Sequence, residues 1–146
     1  MEFRGYRRAN GRVGTRNYVG VLSTVVCANE VADRISRGVQ GATAFLHHQG
    51  CGQTPVDLAR VSRALIGLGK NPNLAAVLLV SLGCEGVAVS EVTEGIRASG
   101  KRVECVVIQE EGGQARSVAR GQLLAQELVA QASTIQPVPC PISASQ

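Results

Sequence analysis

Four short apolar runs recur along the chain, and each is followed by a segment whose apolar residues repeat at helical spacing. YVGVLSTVV (18–26) is apolar and β-branched, as a buried strand requires. In the segment that follows, Ala28, Val31, Ala32 and Ile35 fall on one helical face before Gly38. ATAFLHH (42–48) is a second strand, and the next helix carries Leu58, Val61, Leu65 and Leu68 at helical intervals. Thr54 is placed to cap that helix, and Pro55 suits its first position. LAAVLLVSLG (74–83) is the most hydrophobic run and reads as a central strand, with Val89, Val92 and Ile96 on the helix after it. RVECVVIQ (102–109) is the fourth strand. A last amphipathic helix bears Ala115, Val118, Ala125, Leu128 and Ala132.

Alternating strands and helices joined by short loops predict a parallel sheet with right-handed crossovers and helices on both faces. The expected architecture is α/β, a three-layer flavodoxin-like or Rossmann-like sandwich whose four strands lie in the order 2-1-3-4. Two segments fall outside it. Residues 1–17 form a basic arm holding Arg4, Arg7, Arg8, Arg12 and Arg16, with a turn at Asn10-Gly11. Residues 134–146 contain three prolines and read as a linker or detached tail, leaving 18–133 as the α/β domain.

Composition agrees with this architecture. Of 146 residues 45% are apolar but only 3% aromatic, so the core is built from Val, Leu, Ile and Ala, and one domain is expected. The formal charge of +4 favours anionic ligands, and with few aromatic platforms for stacking bases no nucleic-acid partner is expected. The amino-terminal residues lack a signal-peptide core and no run is long enough to span a membrane, so a cytoplasmic protein is expected. Five cysteines, an odd number, favour reduced thiols.

Ligands of open α/β sheets bind beyond the carboxyl ends of the strands. Cys27 and Asn29 follow strand one, and His47, His48 and Cys51 end or follow strand two. Cys84 and Glu85 follow strand three, while Gln109, Glu110, Glu111, Gly112 and Gly113 end or follow strand four. Three cysteines, both histidines and three acids would therefore share one edge. His47 and His48 are candidates for a metal ligand or general base, although adjacent residues on extended chain face opposite ways. Cys27, Cys51 and Cys84 lie beside helix starts, where a thiolate is favoured, and small buried hydrophobe is the alternative reading. Glu85 could bind a cation, act as a base or simply complement a helix dipole. Cys105, inside a strand, reads as a buried hydrophobe, and Cys140 as part of the tail.

GYRRANGRVGTRNYVGVLSTVVCAN, HHQGCG, NPNLAAVLLVSLGCEG and IQEEGG together resemble the altronate dehydratase/galactarate dehydratase family, which also includes sulfolactate sulfo-lyase large subunits. The similarity is to the family's middle domain and runs over nearly the whole chain. It implies a lyase that removes water from a hydroxy acid to give a 2-keto-3-deoxy acid, usually with Fe2+; an iron–sulfur cluster is the alternative. It further implies that His47, His48 and Glu85 are catalytic. Arg12, Arg16, Asn17 and Asn29 become substrate-binding candidates, and Cys27, Cys51 and Cys84 become metal ligands. The implied partners are a carboxy-terminal domain and a small β-clip domain or subunit, both missing here, in a homo-oligomer; the isolated chain would then be inactive. A sulfo-lyase type of elimination and a non-catalytic dimerisation scaffold are the competing readings. A flavin- or nucleotide-binding domain is suggested by fold class alone.

Overall fold

The computed structural model describes residues 2–8, 13–14, 16–24, 28–46, 55–83 and 89–141. Its centre is a parallel sheet of β3 (Tyr18–Ser23), β4 (Ala42–Phe45), β5 (Leu74–Ser81) and β6 (Arg102–Val107), ordered β4-β3-β5-β6. The first of these strands in the chain thus lies between the second and the third. β5 is the hydrophobic heart: all of its residues except Ala75 are buried. Fully burying a Leu or Val side chain contributes about 1.5–3 kcal/mol, so this run dominates the sheet's stability.

Alternation along the strands splits the core into two layers. Val19, Val21, Leu78, Val80 and Val106 pack on one face with Val31, Ala32 and Ile35 of α1 (Asn29–Arg37) and Leu124, Ala125 and Leu128 of α5 (Gln114–Ala132). Leu22, Val77, Leu79 and Val103 pack on the other with Leu65 of α2 (Pro55–Gly69) and Val92 and Ile96 of α3 (Val89–Arg97). The expected three-layer α/β architecture is present. A register shift at Tyr18/Val19 skips Ala75, so Leu74 joins the second face while Ala76 joins the first.

The segments expected to be an arm and a detached tail form a second sheet. β1 (Glu2–Arg7) pairs antiparallel with β2 (Val13–Gly14) on one side and with β7 (Val138–Pro141) on the other. Val138–Pro141 is therefore no loose linker. Its ladder bonds join it to residues more than 130 positions away, a pairing that leaves no local periodicity to read. Both cysteine expectations are reversed among the described residues, that of Cys140 by this pairing. Cys140 is completely buried, whereas Cys105 is exposed, because β6 is an edge strand with no neighbour on its outer side.

Arg8 fastens the small sheet to the large one. Its Nε donates to the Pro72 carbonyl at 2.6 Å, one Nη to Asn17 Oδ1 at 2.9 Å and the other to the Arg16 carbonyl at 2.9 Å. The guanidinium also lies 5.6 Å from the Tyr6 ring centroid. Burial pulls its pKa below the ordinary arginine value, against an upward pull from Tyr6, yet an arginine stays cationic at any pH proteins normally meet. Asn17 extends the network by donating Nδ2–H to the Ala132 carbonyl at the end of α5, 2.8 Å away. Gly14 backs directly onto the Pro72–Asn73 peptide, so closely that a Cβ there would overlap the Pro72 carbonyl. The buried Lys101 ammonium closes the carboxyl end of α2 by donating to Gly69 O at 2.9 Å and to Asn71 O.

Candidate functional site

Parallel pairing brings the four strand exits to one edge. Leu22 is in register with Phe45, Ser23 with Val80, and Ser81 with Val107. Neighbouring strands are spaced about 4.8 Å apart, so the exits of β4, β3 and β5 span only about 10 Å. The chain leaves them into residues 25–27, 47–54 and 84–88. Cys27, His47, His48, Cys51, Cys84 and Glu85 belong to those segments and lie outside the described residues, as do Arg12 and Thr54. Among the described residues no three His, Cys, Asp or Glu side chains come close enough to hold a metal.

Of the expected substrate-binding residues, three are described, and they fall on opposite edges. Asn29 opens α1 at the carboxyl edge and is half-buried. The residue before it, Ala28, offers no side-chain cap to the helix. Arg16 and Asn17 lie at the amino edge, just ahead of β3. The Arg16 backbone N–H donates to Asn73 Oδ1 at 3.1 Å and its carbonyl accepts from Arg8, while the Asn17 amide is engaged through both its oxygen and its nitrogen.

The exits of β5 and β6 are joined by local contacts. The fourth strand stops two residues earlier than its apolar run suggests, because Ile108 turns into the short helix α4 (Ile108–Glu111). Gln109 N–H donates to the Leu82 carbonyl at 3.2 Å. Its side chain packs over Gly83, where φ is +116° and a Cβ would come 2.8 Å from Gln109 Oε1. Only glycine satisfies both demands. The buried hydroxyl residues Ser23, Thr24 and Ser81 lie beneath this edge at the ends of β3 and β5, Thr24 Oγ1 donating to the Val80 carbonyl at 3.2 Å.

One charged group at this edge was not singled out by the motifs. α1, α3 and α4 carry Glu30, Glu91, and Glu110 with Glu111 in their first turns, the sign that a helix dipole favours. α5 has no acid there and carries Arg116 instead. The Arg116 side chain folds back over Gly112, its Nη1 3.5 Å from where a Gly112 Cβ would sit. The signal that finds it is the unfavourable charge sign in QARS.

A comparison with known families places the chain as a whole. Residues 5–133 match the model of the D-galactarate dehydratase/altronate hydrolase family, second domain. The chain belongs to this family. Three relatives place the second domain in context. It is 42% identical over 141 residues to the (2R)-sulfolactate sulfo-lyase subunit beta of Chromohalobacter salexigens, a match covering 97% of this chain and 36% of the relative. It is 37% identical over 99 residues to the altronate dehydratase of Escherichia coli, covering 61% of this chain and 20% of the enzyme. With the altronate dehydratase of Bacillus subtilis it shares 29% over 105 residues, 65% of this chain and 21% of that enzyme. The chain therefore spans about a third or less of each relative. No solved structure matches this second domain. No helix among the described residues is long and apolar enough to cross a membrane.

Proposed function

We propose that this chain supplies the second-domain share of a lyase site that eliminates water from altronate or galactarate to give a 2-keto-3-deoxy acid. The observation that carries the reading is the adjacency of the β4, β3 and β5 exits, from which the three segments bearing the cysteines, histidines and Glu85 depart. Such an elimination takes the proton α to a carboxylate and expels the β-hydroxyl, so it needs a base, an acid and an anchor for the carboxylate. In this reading His47, His48 and Glu85 move the protons, Arg12 pairs with a carboxylate and Asn29 binds a hydroxyl. Arg16 and Asn17 hold the amino edge together.

Three thiols, two imidazoles and one carboxylate form a donor set that suits iron. Cys27, Cys51 and Cys84 are the residues to hold it, as Fe2+ or in an iron–sulfur cluster. When bound, the metal supplies a Lewis acid that eases departure of the hydroxyl. The remainder of a longer, cytoplasmic, oligomeric enzyme closes the site, and the chain alone is inactive.

Water is not the only leaving group to consider. The match to the sulfo-lyase subunit covers 97% of this chain, more than either dehydratase match, and favours sulfite as the second reading. The assembled enzyme, purified without oxygen, is assayed against altronate, galactarate and (2R)-sulfolactate. Appearance of a 2-keto-3-deoxy acid supports dehydration; sulfite release from sulfolactate alone supports the second reading. Turnover of none of the three sinks both.

A further inference from the structure

We infer that the outer face of α5 is an interface on which a second copy of this chain packs, the two α5 helices running antiparallel and crossing at Leu123. The inference does not depend on the lyase reading and is tested by association alone. Successive helical residues are turned by about 100°, so Ala115, Ala119, Leu123, Gln126 and Ala130 share the face opposite the buried Gly121, Leu124, Ala125 and Leu128. All five are exposed and none is charged. Leu123, at 59%, is the most exposed large hydrophobic side chain among the described residues. The outer faces of the other helices differ: α1 exposes Glu30, Arg34 and Arg37, and α3 exposes Glu91, Glu94 and Arg97. The core of a protein interface is likewise depleted of charge and built around apolar anchors.

The charges of α5 select both the partner and its direction. The helix carries only Arg116, Arg120 and Glu127, and all three lie on one flank of the uncharged face, the flank from which Glu127 reaches Arg102 of β6 at 3.7 Å. Both arginines precede Leu123, the midpoint of Gln114–Ala132, and the glutamate follows it. At a rise of about 1.5 Å per residue, Arg120 lies about 4.5 Å before the midpoint and Glu127 about 6 Å after it. A twofold axis at Leu123 therefore brings Glu127 of one copy beside Arg120 of the other, with Arg116 one turn further on, and does so twice. A parallel pair would set arginine against arginine. Among the described residues neither arginine has a carboxylate partner in its own chain, and the Glu127 side chain remains 64% exposed. The alanines on either side of Leu123 let the helix axes approach to about 8–10 Å. A contact of one helix pair, about 28 Å long, is small, so association on the order of micromolar is expected.

The test is sedimentation of the 146-residue chain at concentrations up to about 0.1 mM, well above a micromolar dissociation constant. The wild-type chain sediments with twice the mass of one copy. Leu123→Glu sets two carboxylates against each other at the axis and raises the dissociation constant about a hundredfold, its exposed position leaving the fold intact. Arg120→Glu and Glu127→Arg each raise it about tenfold, and the double variant, which exchanges the two charges, returns to within about threefold of wild type. Within one chain these residues stand about 10.5 Å apart along the helix, out of contact, so the recovery arises between copies. Arg63→Glu, on the exposed side of α2 across the sheet, leaves the constant unchanged. A wild-type chain that stays monomeric overturns the second copy as occupant; a Leu123→Cys thiol shielded from alkylation only in the assembled enzyme then gives the face to the enzyme's remaining domains. A dimer indifferent to Leu123→Glu overturns the surface, and a double variant as weak as the single ones overturns the antiparallel pairing.

Discussion

The two ends of the parallel sheet are built on opposite principles. At the amino edge, donors and acceptors are matched one to one: Arg8 with three oxygens, Asn17 with two partners, Lys101 with the end of α2. At the carboxyl edge the described residues include a helix without a side-chain cap and an arginine at the wrong end of a dipole. One end is tied together by these bonds, and the other carries a charge that the helix dipole disfavours. Substitutions at the two ends should therefore move different observables.

The largest effect is expected from Cys84→Ala or Glu85→Ala in the assembled enzyme. Each should lower kcat/KM by about a thousandfold, the scale of losing a catalytic acid, base or ligand, with the Tm of the chain unchanged. A variant that keeps wild-type turnover would erase the functional side of the contrast. Arg8→Ala should do the reverse, destabilising the chain by about 3 kcal/mol in urea unfolding, since three oxygens lose a charged donor. Accelerated amide exchange in β1 and β7 should accompany it. Gly14→Ala should cost about 2 kcal/mol, because the new methyl meets backbone that cannot rotate away. Asn17→Ala should cost about 1 kcal/mol and leave KM unaltered; a large KM increase would instead return Asn17 to the substrate.

The four core strands and the long helices were legible because each has a local period. Val31, Ala32 and Ile35 announce the buried face of α1, and the unbroken apolar run from Leu74 announces a strand covered on both sides. The small sheet was not legible. β1 mixes glycine and arginine, and its partner β7 alternates proline with other residues, so neither shows an apolar face. The roles of Cys105 and Cys140 were inverted for a related reason: burial depends on which strand has a neighbour, a property of topology and not of the residues nearby. At the candidate site, the strand exits were readable from the ends of the apolar runs. The separation of Arg16 and Asn17 from Asn29 was not, since three residues close in sequence to one strand can sit at either of its ends. Arg116 was visible only as a charge of unexpected sign.

The register of β7 has a further consequence for how copies of this chain avoid one another. Pro139 faces Arg4 and Pro141 faces Glu2, while Val138 and Cys140 alternate with them. Proline is tolerated in a strand where the missing N–H would have pointed outward, so the inward bonds come from Val138 and Cys140, and the outer margin presents carbonyls but no donors at 139 and 141. A strand approaching from another molecule would find half of the ladder absent. The same prolines that disguise the segment as a linker thus close one margin of the small sheet against edge-to-edge aggregation.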